Sequence, residues 1–319
     1  TNFTDVVELT ARFNRIFHEE YDQLPDRIPD FYHKVSSDRI NERFSSVGTY
    51  GNVPLFNGTV TYADLAQGYD SVITPLEFAA GLQIERLLLD TDQHNVIDSR
   101  PKTLAAGMNR TRQVEGARVF NNAFGVDSRY NVHSEGVALC SNSHITNSGA
   151  STITGFDNLD TGALNLVNLA SARIHSRGFR GDQAERLSIM PDTIVIPVDL
   201  CVEGFENIES PDRPDTANRA KNYNYGKYKI IEWEYLTDAN NWFMIDSSFM
   251  KAPNGNMWID TVDPEFAFVE SFDEIVGKPK NKFYEMRGTL DHLRFEVVKY
   301  ERRTGDNAES KVYLSKKLL

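Results

Sequence analysis

The apolar residues at the start of the chain recur at helical spacing. They lie three or four positions apart: Val6, Leu9, Phe13, Ile16 and Phe17. This spacing predicts an amphipathic helix, which Pro25 and Pro29 then interrupt. Residues 1–45 hold too little apolar surface to offset the entropy lost on ordering a separate domain. We therefore expect this arm to pack on something else.

Residues 46–75 carry the pattern of a long β-hairpin that reaches away from a body. Two β-type runs, 53–56 and 59–62, flank the pair Asn57-Gly58. Asn-Gly favours a tight hairpin turn because both turn positions need positive φ. The flanking residues are rich in glycine and small polar side chains, which is typical of loops. No lysine occurs between Lys34 and Lys102, so the predicted hairpin contains none.

Strand-like residues at 72–78 come before the clearest helix of the sequence. Asp98 or Ser99 is the expected cap, with Pro101 in the first turn, and Gly125 follows the expected last residue, Phe124. About 26 residues at roughly 1.5 Å each give a rod of about 40 Å. Its apolar residues scatter around the helix instead of forming one stripe. That pattern predicts a helix in contact with neighbours on several sides.

The second half of the chain mixes helices and strands. Helices are predicted at 166–179 and 198–208, with a short buried strand at 191–197 between prolines. Residues 228–236 alternate apolar and acidic side chains, which predicts a strand, and a second strand at 241–246 follows across a short turn. Near the C-terminus Leu293, Phe295 and Val297 alternate in the same way. The predicted class is α+β.

Composition and charge narrow the classes of function. Hydrophobic residues make up 40% of the 319 positions, enough for a sizeable core, and no apolar run approaches the roughly 20 residues that span a bilayer. The start of the sequence lacks the basic and apolar regions of a secretory signal. A net charge of −12 argues against simple wrapping of DNA phosphates. Residues 278–319 are the exception, with eleven Lys and Arg against six Asp and Glu. This basic segment can meet nucleic acid or an acidic patch on a neighbouring subunit.

Cys140 and His144, in the stretch GVALCSNSH, are the most reactive-looking pair. Cys140 and Cys201 are the two cysteines of the chain, which fits a reducing compartment. A cysteine nucleophile needs a lowered thiol pKa and a third group that orients its base, and no helix begins just after Cys140 to lower it. A zinc site needs further soft ligands at short spacing, which are absent. A structural role is favoured, with metal, redox and catalytic roles as alternatives.

The run 90–98 imitates the opening of a calcium-binding loop but fails in detail. Counting from Asp90, position six is Asn95, where the sharp turn needs glycine, and position twelve is Pro101, where a bidentate Glu belongs. Phosphate-binding, dinucleotide-binding, zinc-protease and serine-hydrolase motifs are also missing. We therefore expect no catalytic residue, no metal and no cofactor.

Four short segments occur in an order that indicates a protein family. They are FNNAF at 120–124, GVALCSNSH at 136–144, PDTIVIP at 191–197 and YLTDANNWF at 235–243. Together with the polar arm, the long hairpin and the long helix, this order resembles the major capsid protein of tailed bacteriophages, the Hong Kong 97-type fold. The resemblance covers essentially the whole chain.

The resemblance implies a division of the chain. Residues 1–45 would form the N-terminal arm and 46–75 the extended loop. Residues 76–150 would form a peripheral domain with a long spine helix, 151–279 an axial domain, and 280–319 strands that return to the peripheral domain. Arm and loop would bury apolar residues on a neighbouring subunit. The candidates for that contact are Phe13, Phe17, Phe56, Asn57, Gly58 and Tyr62.

The implied function is that of a major capsid protein that assembles into an icosahedral shell around double-stranded DNA. Its partners would be other copies in hexamers and pentamers, with portal, scaffold and decoration proteins, and DNA held without sequence specificity. The protein would occur in the virion after assembly in the host cytoplasm, without contact with a membrane. The loop has no lysine for the covalent cross-link that some members form. A separate scaffold, or a propeptide removed before Thr1, is expected. An encapsulin-like nanocompartment shell and a Cys/His thiol hydrolase are the alternatives.

Overall fold

The computed structural model describes residues 6–39, 41–47, 50–62, 67–85, 96–126, 134–144, 158–181, 185–213, 220–253, 255–261, 264–271, 283–290, 295–296 and 311–314. Helices and strands are interspersed along these residues, which confirms the α+β class. The α-helices are Val6–Gln23 (the N-terminal helix), Ile28–Phe31, Ser99–Asn121 (the long helix), Leu166–Ser176, Cys201–Gly204 and Ser247–Met250. The strands are β1 (His33–Ser36), β2 (Glu42–Val47), β3 (Gln67–Ile73), β4 (Phe78–Glu85), β5 (Leu159–Asp160), β6 (Thr193–Ile196), β7 (Lys229–Glu232), β8 (Trp242–Ile245), β9 (Met257–Asp260), β10 (Glu265–Ser271), β11 (Phe283–Leu290), β12 (Phe295–Glu296) and β13 (Lys311–Leu314).

A five-stranded sheet in the order β5-β13-β8-β6-β7 separates two hydrophobic cores. β6 runs parallel to β7 and antiparallel to β8. Successive side chains of a strand point to opposite faces of its sheet. Val195 accordingly joins one core, while Ile194 and Ile196 join the other. Every residue of β6 is buried, as expected for a strand covered on both faces.

The larger core surrounds the long helix. The N-terminal helix packs along it, and the rings of Phe31, Phe120 and Trp233 lie against one another with centroids 5.0 to 5.8 Å apart. Buried residues of the long helix extend from Pro101 to Phe120 and include charged side chains. The helix is therefore enclosed on several sides, which confirms the prediction from its scattered apolar positions.

The smaller core lies on the other face of the five-stranded sheet. Helix Leu166–Ser176 covers it from one side, and its start is set by Asn165, whose side-chain oxygen accepts a hydrogen bond from the backbone N–H of Asn168 at 2.9 Å. The helical segment Val198–Glu209 covers the other side. It begins as a 3-10 turn at Val198–Leu200 and ends as a π turn at Phe205–Glu209.

Three smaller sheets complete the described part of the chain. β2 and β3 form an antiparallel pair, and β10, β11 and β4 form an antiparallel sheet in that order. β9 lies between β1, to which it is parallel, and β12, to which it is antiparallel.

Several sequence predictions need correction in their details. The expected strand at 72–78 is broken, because β3 ends at Ile73 and β4 begins at Phe78. The long helix ends at Asn121 and continues as turns to Phe124, and the helix from Leu166 ends at Ser176. β7 and β8 do not pair across their turn, since β6 lies between them. Leu293, Val297 and the calcium-like residues 90–95 lie outside the described residues.

Candidate intersubunit surface

Residues 50–62 form a projecting segment whose apolar side chains are exposed. Leu55 is 94% exposed, Tyr62 91% and Phe56 70%, and Val53 and Val60 are exposed as well. Single exposed apolar residues are ordinary on protein surfaces, whereas a run of them marks a binding surface. Full burial of one such side chain contributes about 1.5–3 kcal/mol. This projecting segment can therefore supply much of the free energy of binding to a partner.

The tip of the projecting segment is a turn without strands beside it. Gly58 has a φ of +102°, a conformation that favours glycine. The side-chain oxygen of Asn57 accepts a hydrogen bond from the backbone N–H of Thr59 at 3.4 Å. The chain bends at the predicted position, with positive φ at Gly58, but residues 50–62 hold no β-strand, so the predicted strands at 53–56 and 59–62 are wrong. A lone two-stranded ribbon with no covered face is marginally stable, which explains their absence.

The base of the projecting segment is anchored by Asp70. β2 and β3 pair below the tip, and the carboxylate of Asp70 lies 2.5 Å from the guanidinium of Arg43. The backbone N–H of Asp70 donates to the hydroxyl oxygen of Ser134 at 3.0 Å, and the backbone N–H of Ser134 donates to the carbonyl oxygen of Asp70 at 2.9 Å. Two hydrogen bonds to its carboxylate hold the pKa of Asp70 below its ordinary value. The bond from the Ser45 side chain has the larger effect and the bond from Arg43 the smaller.

Phe13 and Phe17 do not belong to this surface. Both are fully buried in the larger core of their own chain, and the ring centroid of Phe17 lies 5.3 Å from that of Phe266. The expectation that they contact a neighbouring subunit is corrected accordingly. The physical reason is that the apolar stripe of the N-terminal helix finds its partner in the long helix and β10 of the same chain.

His144 is held inside a buried polar cluster. Its Nδ1 lies 3.3 Å from a carboxylate oxygen of Glu135, and its Nε2 lies 3.3 Å from the carbonyl oxygen of Leu139. Both ring nitrogens thus face hydrogen-bond acceptors, and whichever nitrogen carries the proton has an acceptor beside it. A general base for Cys140 would need a lone pair directed at the thiol. Cys140 and His144 are also 3% and 2% exposed, which leaves no access for a substrate.

Asn158 connects the Cys140 segment to the chain that follows it. Its side chain donates to the carbonyl oxygen of Leu139 and accepts from the backbone N–H of Ser141, each at 3.3 Å. The backbone N–H of Cys140 donates to the carbonyl oxygen of Ala123 at 2.7 Å, beyond the end of the long helix. These bonds satisfy buried backbone groups, which is a structural role.

Cys201 is the half-buried cysteine, and its surroundings are acidic. A hydrogen bond to Glu232 at 2.5 Å, with Glu203 and Glu209 nearby, raises the pKa of its thiol above the ordinary value. Because the thiolate is the nucleophilic form, these carboxylates make Cys201 less reactive.

Arg112 forms a buried charged cluster that the sequence pattern does not reveal. Its Nη1 lies 3.4 Å from Asp260, its Nε lies 3.7 Å from Asp26, and its guanidinium lies 4.8 Å from the ring centroid of Trp258. A cavity of about 490 Å³ adjoins the cluster. Burial raises the pKa of the neighbouring Tyr21 hydroxyl, although Arg112 opposes that shift.

The Arg112 cluster joins three parts of the chain: the turn after the N-terminal helix, the long helix and β9. Asp260 also accepts from the indole N–H of Trp258 at 2.6 Å and pairs with Lys34 at 3.0 Å. Asp26 and Asp260 are 86 and 148 residues from Arg112, so no local pattern could have identified them. The ion pairs of Arg112 hold these elements together, although its Nε and Nη2 make no hydrogen bond within the described residues.

The described residues contain no group of three or more His, Cys, Asp or Glu side chains placed to hold a metal ion. Within the same described ranges, no helix is both long and apolar enough to cross a membrane.

Comparison with known proteins gives a family and a fold. The sequence profile of a family described as phage capsid protein matches residues 68–298. No curated protein matches the chain. The capsid of bacteriophage JBD30, decorated with minor capsid protein trimers, is similar with a TM-score of 0.50 and 14% identity, over 67% of this chain and 92% of that one. A structure from Mycobacterium phage Adephagia is similar with a TM-score of 0.49 and 12% identity, over 92% and 91%. At such identity the likeness to the JBD30 capsid concerns the fold alone.

Proposed function

This chain belongs to the phage capsid protein family and has the Hong Kong 97-type capsid fold, and from that premise we propose that it is the major capsid protein of a tailed double-stranded DNA phage. Many copies assemble into an icosahedral shell that encloses the genome. The observation that carries the proposal is the projecting segment, residues 50–62. A folded subunit that leaves Leu55, Phe56 and Tyr62 exposed is completed by burying them on another subunit.

The contact is between different surfaces of identical subunits. The projecting segment of one copy lies on the body of the next, and heterologous contacts of this kind close into rings when the rotation allows. Phe56, Asn57, Gly58 and Tyr62 make the contact, whereas the N-terminal helix stabilises its own subunit. Rings of six and five copies then form the faces and vertices of the shell.

The assembly is held together without covalent links at the loop. Residues 46–75 contain no lysine, so no isopeptide bond forms from there. Non-covalent burial and decoration proteins supply the stability of the shell. A scaffold and a portal guide assembly in the host cytoplasm, and the finished protein resides in the virion. DNA is enclosed without sequence specificity.

The protein acts as a structural component and not as an enzyme. The buried positions of Cys140 and His144 and the acceptors beside both ring nitrogens of His144 argue against a thiol hydrolase. The family match to phage capsid proteins favours a phage shell over a cellular nanocompartment.

Electron microscopy of the purified chain, alone and co-expressed with the scaffold of its phage, tests the proposal. Closed shells of uniform size are expected. Quantitative mass spectrometry of intact virions should find the chain in hundreds of copies. A chain that stays monomeric in both preparations, or that is present in virions in a few copies, would overturn the proposal.

A further inference from the structure

The tip of the projecting segment leaves Asn57 and Gly58 open to water. Asn57 is exposed, and its neighbours Leu55 and Phe56 are 94% and 70% exposed. A Cβ added to Gly58 would meet no atom within 4 Å. Among the residues that the structure describes, the backbone N–H of Gly58 has no hydrogen-bond partner. The peptide nitrogen between these two residues is therefore free to react.

Asparagine followed by glycine is prone to deamidation, because the reaction uses the backbone nitrogen of the second residue. That nitrogen attacks the side-chain amide carbon of the asparagine. A side chain on the second residue hinders the attack, and glycine has none. Asn57 is followed by glycine, whereas Asn52 in the same segment is followed by Val53, whose branched side chain crowds its backbone. Asn57 is therefore the reactive asparagine of the projecting segment.

The turn also places a hydrogen-bond donor on the oxygen that gains charge in this reaction. The side-chain oxygen of Asn57 accepts a hydrogen bond from the backbone N–H of Thr59 at 3.4 Å. This bond folds the side chain of Asn57 over the peptide that follows it, towards the nitrogen of Gly58. Attack on the amide carbon places negative charge on the same oxygen, and a backbone N–H stabilises such a charge. The bond therefore favours the attack both by position and by charge.

A second Asn-Gly pair, Asn254-Gly255, provides a comparison within the same chain. Gly255 is buried, and its backbone N–H donates to the carbonyl oxygen of Ala252 at 2.7 Å. A Cβ added to Gly255 would collide with the carbonyl oxygens of Phe249 and Met250. The nitrogen of Gly255 is thus hydrogen-bonded and enclosed by backbone, which protects this pair. The tertiary structure, and not the dipeptide itself, distinguishes the two pairs.

We propose that Asn57 is a site of spontaneous deamidation in the unassembled subunit, and that the reaction removes the competence of the subunit for assembly. The nitrogen of Gly58 forms a bond to Cγ of Asn57 and loses its proton, while the side-chain nitrogen leaves as ammonia. Water then hydrolyses the resulting cyclic imide at either of its carbonyl carbons. The products are an aspartate and its β-linked isomer, each with a new carboxylate, and no oxidant or reductant takes part.

The effect on assembly follows from the new charge, and this part of the inference rests on the proposed function. Residues 50–62 contain no Asp, Glu, Lys or Arg, so the new carboxylate has no charged partner on the segment. Its burial in a contact formed by Leu55, Phe56 and Tyr62 is costly, since an unpaired charge loses its hydration. Assembly in turn covers the tip and shields Asn57 from water. A subunit that assembles early is therefore protected, and one that remains free loses competence with time.

Ageing of the unassembled subunit tests the chemical step. Peptide mapping by mass spectrometry should find a gain of about 1 Da at Asn57, with the β-linked isomer resolved by chromatography. Asn52 and Asn254 are the matched controls in the same sample and should show no gain over the same period. Assembled shells aged in parallel should gain mass at Asn57 several-fold more slowly. The variant Asn57→Gln, whose side chain would have to close a larger ring, should show no gain at that position.

Fresh and aged samples test the effect on assembly. The concentration of aged subunit needed for shell formation, measured by light scattering, should rise several-fold, whereas aged Asn57→Gln should assemble as its fresh form does. Asn57→Asp should need the higher concentration already when fresh. Asn240→Asp adds the same charge at an exposed position outside the segment and should assemble as the unmodified chain does. Urea unfolding should be the same for all these variants, because both positions are exposed in the folded subunit.

The outcomes distinguish this inference from the proposed function. If the fresh unmodified chain forms no shells, the proposed function fails and the effect on assembly fails with it, while the mass gain at Asn57 still decides the chemical step. If it forms shells and Asn57 gains no mass on ageing, or an aged subunit with the gain assembles as the fresh one does, the inference is wrong and the proposed function stands. Equal gain at Asn57 and Asn254 would also overturn the inference, because exposure of the Gly58 nitrogen would then make no difference.

Discussion

Tyr32 donates a hydrogen bond from its phenolic hydroxyl to the backbone carbonyl oxygen of Gly116, at 2.7 Å within the larger core. The bond joins the segment after the N-terminal helix to the middle of the long helix. This close approach depends on the missing side chain of Gly116. A Cβ added there would lie 2.5 Å from the Cδ1 of Ile28 and 3.2 Å from the ring of Trp233.

Gly116→Ala is expected to destabilise the subunit by about 1–3 kcal/mol, because overpacking of the core outweighs the gain in helix propensity. Urea unfolding of the unassembled subunit measures the change. Gly107→Ala in the same helix is the matched control, since nothing lies within 4 Å of its added Cβ. That control should stabilise by about 0.5–1 kcal/mol. Equal effects of the two substitutions would contradict the packing described here.

Phe56→Ser and Tyr62→Ser should weaken assembly and leave the subunit stable. Both side chains are exposed in the subunit, so its free energy of unfolding should change by less than about 0.5 kcal/mol. Phe17→Ala is the contrasting control: it should lower the stability of the subunit by about 3–5 kcal/mol because Phe17 is fully buried. A large loss of subunit stability on replacing Phe56 would place that residue in the core of its own chain.

The base of the projecting segment should loosen in acid. The pKa of folded Asp70 is depressed, so its contribution to stability is present above the unfolded carboxyl pKa of about 3.9 and is lost as the pH falls through the lower folded value. Hydrogen exchange of residues 42–47 and 67–73 reports this change. Asp70→Asn should exchange faster already at neutral pH and show no acid transition there. An unaltered exchange rate in Asp70→Asn would show that Arg43 and Ser45 do not stabilise the pair through this carboxylate.

Both cysteine thiols should react slowly with alkylating reagents at neutral pH, each for a different reason. Cys201 is accessible but its pKa is raised, so alkylation should be slow at neutral pH and accelerate at higher pH than for an ordinary thiol. Glu232→Gln removes the largest cause of the raised pKa and should speed alkylation at neutral pH, with Glu203→Gln as a control of smaller effect. Cys140 is buried and should react only after unfolding. Rapid modification of Cys140 in the folded subunit would support the alternative that the protein is a thiol hydrolase.

Removal of the Arg112 guanidinium should be strongly destabilising. Arg112→Met removes the charged partner of the buried Asp260, which keeps Lys34, and of the more exposed Asp26, with an expected loss of about 1.5–3 kcal/mol in urea unfolding. Arg110→Met, at an exposed position of the same helix, should change stability by less than about 0.5 kcal/mol. A near-neutral Arg112→Met would mean that packing of Met against Trp258 replaces the ion pairs.

Local patterns predicted the elements that depend on neighbours in sequence. The long helix begins at Ser99, where the sequence placed it, although Asp98 makes no capping hydrogen bond and a 3-10 turn, Val96–Asp98, comes before it. The prolines around 191–197 marked the buried strand β6. The Asn-Gly pair located a turn, and Gly58 has the required positive φ. These signals act within a few residues, through backbone hydrogen bonds and allowed dihedral angles.

Pairings between distant residues escaped the sequence patterns. The strands predicted at 228–236 and 241–246, joined by a short turn, suggested a hairpin, yet β6 lies between β7 and β8. Helical spacing placed Phe13 and Phe17 on the apolar face of one helix. It could not say whether their own chain or a neighbouring subunit buries that face. Arg112 lies in a helix with nothing local to indicate a buried cluster.

The sequence by itself therefore determined the α+β class, the starts of the main helices and the family resemblance, because periodicity, capping and the order of segments are properties of the linear chain. The tertiary structure alone decided which apolar residues remain exposed for a partner and which charged residues, such as Arg112, are buried. Those properties depend on what the rest of the fold covers. Leu55 and Phe17 are both apolar, and their roles differ because the long helix covers Phe17 and nothing in the described chain covers Leu55.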